Sequence, residues 1–270
     1  MSLPEIERAY RFDDGSAYER FMGRWSRGAG NVFLDWVAPP SGARWLDVGC
    51  GTGSFTELIV EKCAPASISA IDPERAQIDH AHNGPIADRA NFSVGVASAL
   101  PFADDTFDIV ASGLVLNFVP DPAQALAEMR RVTRGGGSIA GYVWDFAAEL
   151  SPTWPMRLGL RQLGAVVAPT PGTEITGLSG LHTLFEHAGL NEVVTSSIEV
   201  TTRFADFDDF WVAQTPSFNP IARQIAGLEM EQLTRLKDVV RGMVARPDGI
   251  VEFSARANTV SGRVQARSTL

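Results

Sequence analysis

"RWLDVGCGTGSF", residues 44–55, places glycines at 49, 51 and 53 between a strand-like run and a helix-like run. Three glycines in five positions make a turn whose bare backbone can approach a ligand closely. The neighbouring residues narrow the ligand. A nucleotide-phosphate loop needs G-x-x-x-x-G-K-[ST], and neither Lys-Ser nor Lys-Thr follows these glycines. A dinucleotide fingerprint needs G-x-G-x-x-G, and Ser54 stands where its last glycine belongs. Asp47, at the end of the strand, would oppose a pyrophosphate at the following helix N-terminus. It suits a ligand carrying an ammonium or a sulfonium. S-adenosylmethionine carries both, with a carboxylate that can use the helix N-terminus.

Asp72 closes the second strand, "SAID", nineteen residues after Gly53. An acid there can accept hydrogen bonds from both ribose hydroxyls. It fits a nicotinamide dinucleotide as well as S-adenosylmethionine, and it can also simply cap the helix opened by Pro73.

Outward from the turn, residues 44–144 alternate strands and helices. "RWLDVG", "SISAID", "NFSVGV", "FDIVAS" and "GGSIAGYVW" read as strands, with helices over 53–62, 73–82 and from Asp121 to Arg134. Asp121 is placed to cap that last helix, with Pro122 at its first position and Gln124 at its third. Five strands with intervening helices imply a parallel, doubly wound α/β sheet. Residues 145–178, rich in Pro, Gly and Thr, break the rhythm and read as an insertion over the carboxyl edge. "NEVVTSSIEVTTRF" and "IVEFSARANTV" add a sixth and a seventh strand, and 206–246 reads as helical. Ahead of the sheet, Ser16 and Glu19 form a capping-box pair. Tyr18, Phe21, Met22 and Trp25 then share one helical face and Arg20, Arg24 and Arg27 another.

The net charge of −9 argues against nucleic acid or an anionic membrane as the main partner. No run approaches the ~20 apolar residues of a membrane span, and "MSLPEIERAYRFDDG" lacks the apolar region of a signal peptide. The expectation is a cytoplasmic protein. Cys50 and Cys63 have no metal or disulfide spacing and read as small core residues.

Four blocks stand in a recognisable order: "LDVGCGTG" (46–53), "AIDPE" (70–74), "ASALPF" (97–102) with "FDIVASGLVLNFVPDP" (107–122), and "EMRRVTRGGG" (128–137). In this the chain resembles the class I S-adenosylmethionine-dependent methyltransferases, and within them the small-molecule group similar to quinone-biosynthesis methyltransferases. The resemblance implies a Rossmann-like seven-stranded sheet whose last strand is antiparallel. It divides the chain into a helical lid (1–38), a cofactor-binding core (39–145), a cap insertion (146–178), a core continuation (179–205), a helical cap (206–248), a final core strand (249–262) and a tail (263–270).

Carried over by position, Gly49, Cys50, Gly51 and Gly53 would line the methionine part of the cofactor, Asp47 would orient its amino group, and Asp72 and Pro73 would hold the ribose. Ala97 and Ser98 would meet the adenine edge, and Gly113 would lie beneath the methionine moiety. In the lid, Arg24 would pair with the cofactor carboxylate and Tyr18 would contact cofactor or substrate; the other reading of that helix is a core-packing face with solvated arginines. Trp25, Trp144 and Asp145 are candidates for the acceptor side. Two departures stand out. Val96 replaces an acid that accepts from the adenine amino group, and Asn117-Phe118 stands where many relatives carry histidine.

No catalytic base is assigned. His80, His82, His182 and His187 show no ligand spacing, and Asp206, Asp208 and Asp209 read as helix-start acids rather than a metal cluster. The expected function is methyl transfer to a small, partly apolar molecule, S-adenosylhomocysteine being the cofactor product. A non-catalytic binder of the same cofactor and a nicotinamide-dependent oxidoreductase are the alternatives.

Overall fold

The computed structural model describes residues 19–216 and 219–266, with side chains from Phe21 onward. Seven strands form one sheet: β1 (Arg44–Val48), β2 (Ser67–Asp72), β3 (Asn91–Val94), β4 (Phe107–Gly113), β5 (Thr133–Trp144), β6 (Asn191–Phe204) and β7 (Val251–Arg263). Their order is β3-β2-β1-β4-β5-β7-β6. The pairs from β3 to β5 are parallel, and β7 runs antiparallel to both β5 and β6. The expected doubly wound sheet with an antiparallel last strand is the one observed.

The alternation of β1 shows how the layers assemble. Trp45 packs into the core on one face, while Leu46 and Val48 pack into the core on the other. The first face takes α1 (Arg24–Val37), α2 (Ser54–Cys63) and α3 (Arg75–Ala81). The second takes α4 (Pro122–Val132) and α6 (Leu178–His187), through Leu126, Met129, Leu181 and Phe185. Helices on opposite faces follow from right-handed crossovers that leave β1 in both directions. They put a topological switch point between β1 and β4, where ligands of such sheets bind.

Several local expectations hold. Asp121 accepts from the Gln124 N–H at 2.9 Å and caps α4. Asp206 accepts from the Asp208 and Asp209 N–H groups, each at 2.9 Å, so the acids there open α7 (Phe207–Gln214). Both cysteines are buried and unpaired.

Other expectations are corrected. A π-helical turn (Glu19–Gly23) runs straight into α1, so the helix begun ahead of the sheet continues to Val37. The glycines inside it do not break it; they let it pack closely. A Cβ at Gly28 would lie 2.7 Å from Val200, and one at Gly30 would lie 2.7 Å from Leu58. Ser16 and Tyr18 fall outside the described residues. The expected tail begins too early, because the Val264 carbonyl still accepts from the Gly136 N–H at 2.9 Å.

The helical cap is three helices: α7, α8 (Pro220–Ala226) and α9 (Met230–Val244). α9 packs against α5 (Trp154–Gln162) of the insertion, where a Cβ at Gly159 would lie 2.7 Å from Val240. The two cap segments therefore meet, although Met230 lies 68 positions beyond Gln162 in the chain.

Candidate active site

A cleft of about 1,510 Å³ opens beside the glycine turn and is lined by the chain that follows β1, β2 and β4. The turn takes its shape from left-handed backbone: φ is +80° at Gly49, +54° at Gly51 and +90° at Gly53. The three glycines do different work. At Gly49 a Cβ would lie 2.6 Å from Val115, so the glycine allows the loop after β4 to pack down. At Gly51 nothing lies within 4 Å of that point, which leaves bare backbone facing open space. At Gly53 the Phe92 ring stands 3.1 Å away, and this glycine is buried as the N-cap of α2, off the cleft wall. The Ile71 carbonyl accepts from the N–H groups of Gly49 and Cys50, at 2.8 and 2.9 Å, and fixes the turn against β2.

Asp47 lies beneath the turn with 1% of its surface exposed. Its position between Leu46 and Val48 turns it toward α2, where the Thr56 hydroxyl donates to Oδ2 at 2.7 Å. Its other oxygen, Oδ1, has no hydrogen-bond partner. Burial pushes this carboxyl up to about 7 from 3.8; the Thr56 hydrogen bond opposes the rise and the charge of Asp72 adds to it. Asp72 lines the cleft and accepts from the backbone N–H groups of Gly51 at 3.0 Å and Glu74 at 2.9 Å. Burial raises its affinity for a proton too, against those two hydrogen bonds. Burial and the same two carboxylates keep the Cys50 thiol neutral. Asp72 stands on the cleft wall and Asp47 lies buried behind the turn, off the wall; a cation bound nearby would favour the ionised form of both carboxyls.

The far end of the cleft is the loop carrying Val96, Ala97 and Ser98. α4 clamps it from below. The Glu128 carboxylate accepts from the Leu100 N–H at 2.8 Å. Arg131 donates to the Leu100 carbonyl at 3.0 Å and the Phe102 carbonyl at 2.8 Å, and pairs with Glu128 and Asp104. Gln124 Nε2 donates to the Ser98 carbonyl at 3.3 Å. Val96 is exposed there.

Comparison with known proteins assigns this architecture. Residues 46–141 match the family model described as "Methyltransferase domain". The chain is 30% identical over 150 residues to the ubiquinone/menaquinone biosynthesis C-methyltransferase of Roseobacter denitrificans, covering 54% of this chain and 58% of that one. It is 38% identical over 104 residues to the demethylmenaquinone methyltransferase of Roseiflexus castenholzii, covering 38% and 44%. Over residues 46–141 the chain is thus similar to methyltransferase domains. The chain spans about half the length of the curated relatives it matches. Its fold is shared by phosphoethanolamine N-methyltransferase 2 of Haemonchus contortus, solved with phosphomonomethylethanolamine and S-adenosylhomocysteine. That likeness has a TM-score of 0.59 at 15% identity, over 98% of this chain and 61% of that one.

Gly49, Cys50, Gly51, Asp72, Pro73, Ala97, Ser98 and Gly113 are brought together on the cleft wall. At Gly113 the Tyr142 hydroxyl stands 2.8 Å from where a Cβ would be. Three other candidates lie elsewhere. Arg24 pairs with Asp209 at 3.4 Å, and its guanidinium sits 5.3 Å from the Phe204 ring centroid, so it ties α1 to α7 rather than reaching the cleft. Trp25 is sealed in the core against Phe253 and Trp144, with centroids 4.9 and 6.2 Å away. Asp145 is 3% exposed and pairs with Arg256 at 2.7 Å, joining the end of β5 to β7. Trp144 does face a cavity, a smaller one beside the cleft.

The structure adds wall residues that sequence reasoning did not propose: Ser26 and Phe55, Glu74 and Gln77, and chain from 166 to 175 and from Pro220 to Gln224. These come from the caps and from helix faces, where no local motif marks a residue as facing a ligand. Among the described residues, no histidine lines the cleft.

Proposed function

We propose that this protein transfers a methyl group from S-adenosylmethionine to a small, partly apolar molecule. The observation that carries the reading is Asp47 Oδ1, a buried carboxylate oxygen without a partner beneath a bare glycine turn at the switch point. The ammonium of the cofactor is the donor this oxygen lacks, directly or through a water. The open space at Gly51 supports a site there for the methionine part, and the presence of Asp72, Ala97 and Ser98 on the same wall supports ribose contact by Asp72 and base contact by Ala97 and Ser98. The names of the matched relatives, which methylate small molecules of quinone biosynthesis, support the same reading.

S-adenosylmethionine, when bound, would supply an electrophilic methyl group, with S-adenosylhomocysteine as the leaving product and the acceptor's proton released to solvent. The chain's part is to align and desolvate. Leu114, Val115 and Phe118 present an apolar wall beside Gly113, which excludes water from the transfer path. The chain's net charge of −9 supports a small-molecule acceptor over nucleic acid. Among the described residues no helix is long and apolar enough to cross a membrane, which supports the proposed cytoplasmic location. Calorimetric titration with S-adenosylmethionine and S-adenosylhomocysteine tests the reading; absence of binding by both at millimolar concentration overturns it.

A further inference from the structure

The cleft has a side chamber. A cavity of about 70 Å³ shares Leu114, Phe118, Thr170 and Ile221 with the cleft and closes against Trp144 and Phe146. Its wall comes from five places in the chain: Phe21 and Met22 of the N-terminal turn, the loop after β4, the end of β5, the insertion, and α8 with its cap Asn219. Leu114 holds φ at +63°, a left-handed conformation that a branched residue adopts at a cost, and such positions concentrate at functional sites.

Asn117 adjoins this chamber through its neighbour Phe118 and itself lines the cleft, with 3% of its surface exposed. Its Nδ2 donates to the Pro171 carbonyl at 3.1 Å, which sets which end of the amide is oxygen. Oδ1 has no hydrogen-bond partner. A buried amide oxygen left without a donor is costly, and a ligand that brings one recovers the cost.

We propose that the chamber and Asn117 form the methyl-acceptor subsite, and that the acceptor is an aromatic ring bearing an O–H or N–H group. The chamber takes one edge of the ring between Leu114, Phe118 and Trp144. Asn117 Oδ1 accepts the hydrogen bond and orients the acceptor. An amide does not take the proton, so Asn117 is a positioning residue and the proton leaves to water in the cleft. The inference rests on the methyltransferase reading for the word acceptor; the subsite itself rests on the cavity and the unpartnered amide oxygen.

Phenol and anisole separate the two elements, because both fill the chamber and only phenol donates. Their binding to the full chain is measured by NMR titration with and without saturating S-adenosylhomocysteine. Phenol is expected to bind about threefold to tenfold more tightly than anisole, the worth of one neutral hydrogen bond. Asn117→Leu is expected to remove that preference. Ile221→Trp, filling the chamber mouth, is expected to weaken both ligands together. S-adenosylhomocysteine binding is measured in each variant alongside, so that a loss confined to phenol and anisole is told apart from a loss of the whole cleft. Equal binding of phenol and anisole to the unmodified chain, or a preference that survives Asn117→Leu, overturns the subsite. If Asn117→Leu does not fold, the preference in the unmodified chain and its response to Ile221→Trp decide. Loss of the subsite with S-adenosylhomocysteine still bound leaves the proposed function standing. An Asn117-dependent phenol preference without S-adenosylhomocysteine binding leaves the subsite standing and removes the proposed function.

Discussion

Replacing Asp47 by Asn should stabilise the ligand-free protein at high pH and weaken its cofactor binding. Burial raises this carboxyl to about 7 in the folded chain, from 3.8. The folded state then holds a proton that the unfolded state has released, so stability falls as pH rises between those two values. Below about 4 both states are protonated and Asp47 carries no penalty; above about 7 the full penalty applies. At ~1.4 kcal/mol per pH unit the ceiling is about 4 kcal/mol. The variant also loses the Thr56 hydrogen bond to a charged oxygen, worth roughly 1.5–3 kcal/mol where the partner is ionised. A net gain of about 1–2 kcal/mol at pH 8 remains, or roughly 2–8 °C in Tm for a domain of this size. The gain should shrink toward pH 5. Calorimetric Tm for both proteins at pH 5, 6, 7 and 8 measures it, and parallel curves across that range refute the titration of a buried Asp47. In the same variant S-adenosylhomocysteine should bind about 10- to 100-fold more weakly, the worth of one charge-assisted hydrogen bond. In the unmodified protein a cationic ligand should expel the proton, so its affinity should rise with pH up to about 7.

Gly49→Ala should destabilise the fold by ~2–4 kcal/mol, because φ is +80° and the new Cβ would meet Val115 at 2.6 Å; urea unfolding midpoints measure this, and a loss below ~0.5 kcal/mol would show that the loop after β4 moves freely. Asp145→Asn should cost about 2–4 kcal/mol by leaving Arg256 without its carboxylate at the end of β5. S-adenosylhomocysteine affinity should stay unchanged in that variant; a large drop by calorimetry would return Asp145 to the ligand side.

Local residue chemistry made the core of this site legible. The glycine spacing, the alternation that points Asp47 away from Leu46 and Val48, and the Asp121 cap are all settled within a few residues, so they appear in the sequence as patterns. Arg24 and Trp25 show where that legibility stops. A helical face of arginine beside tryptophan suits a lid over a cofactor as well as a helix packed on the sheet. The partners that decide, Asp209 and Phe204 for Arg24 and Phe253 for Trp25, lie about 180 or more residues away in the chain. The role of Asp145 is hidden for the same reason, since Arg256 is 111 residues distant. Asn117 stands out in the sequence as a departure at its position, but its unpartnered oxygen follows only from the contact by which Pro171 takes the amide nitrogen.

The sequence by itself determined the doubly wound sheet, the glycine turn and the acid beneath it, because strand alternation, helix caps and left-handed glycines are short-range constraints. Only the tertiary structure decided which aromatic residues face a ligand and which are sealed in the core. α5 and α9, far apart in the chain, meet over the sheet, and the chamber beside the cleft exists only where the insertion and α8 close against the ends of β4 and β5. Burial is a property of every segment that covers a residue, and no window of sequence contains all of them.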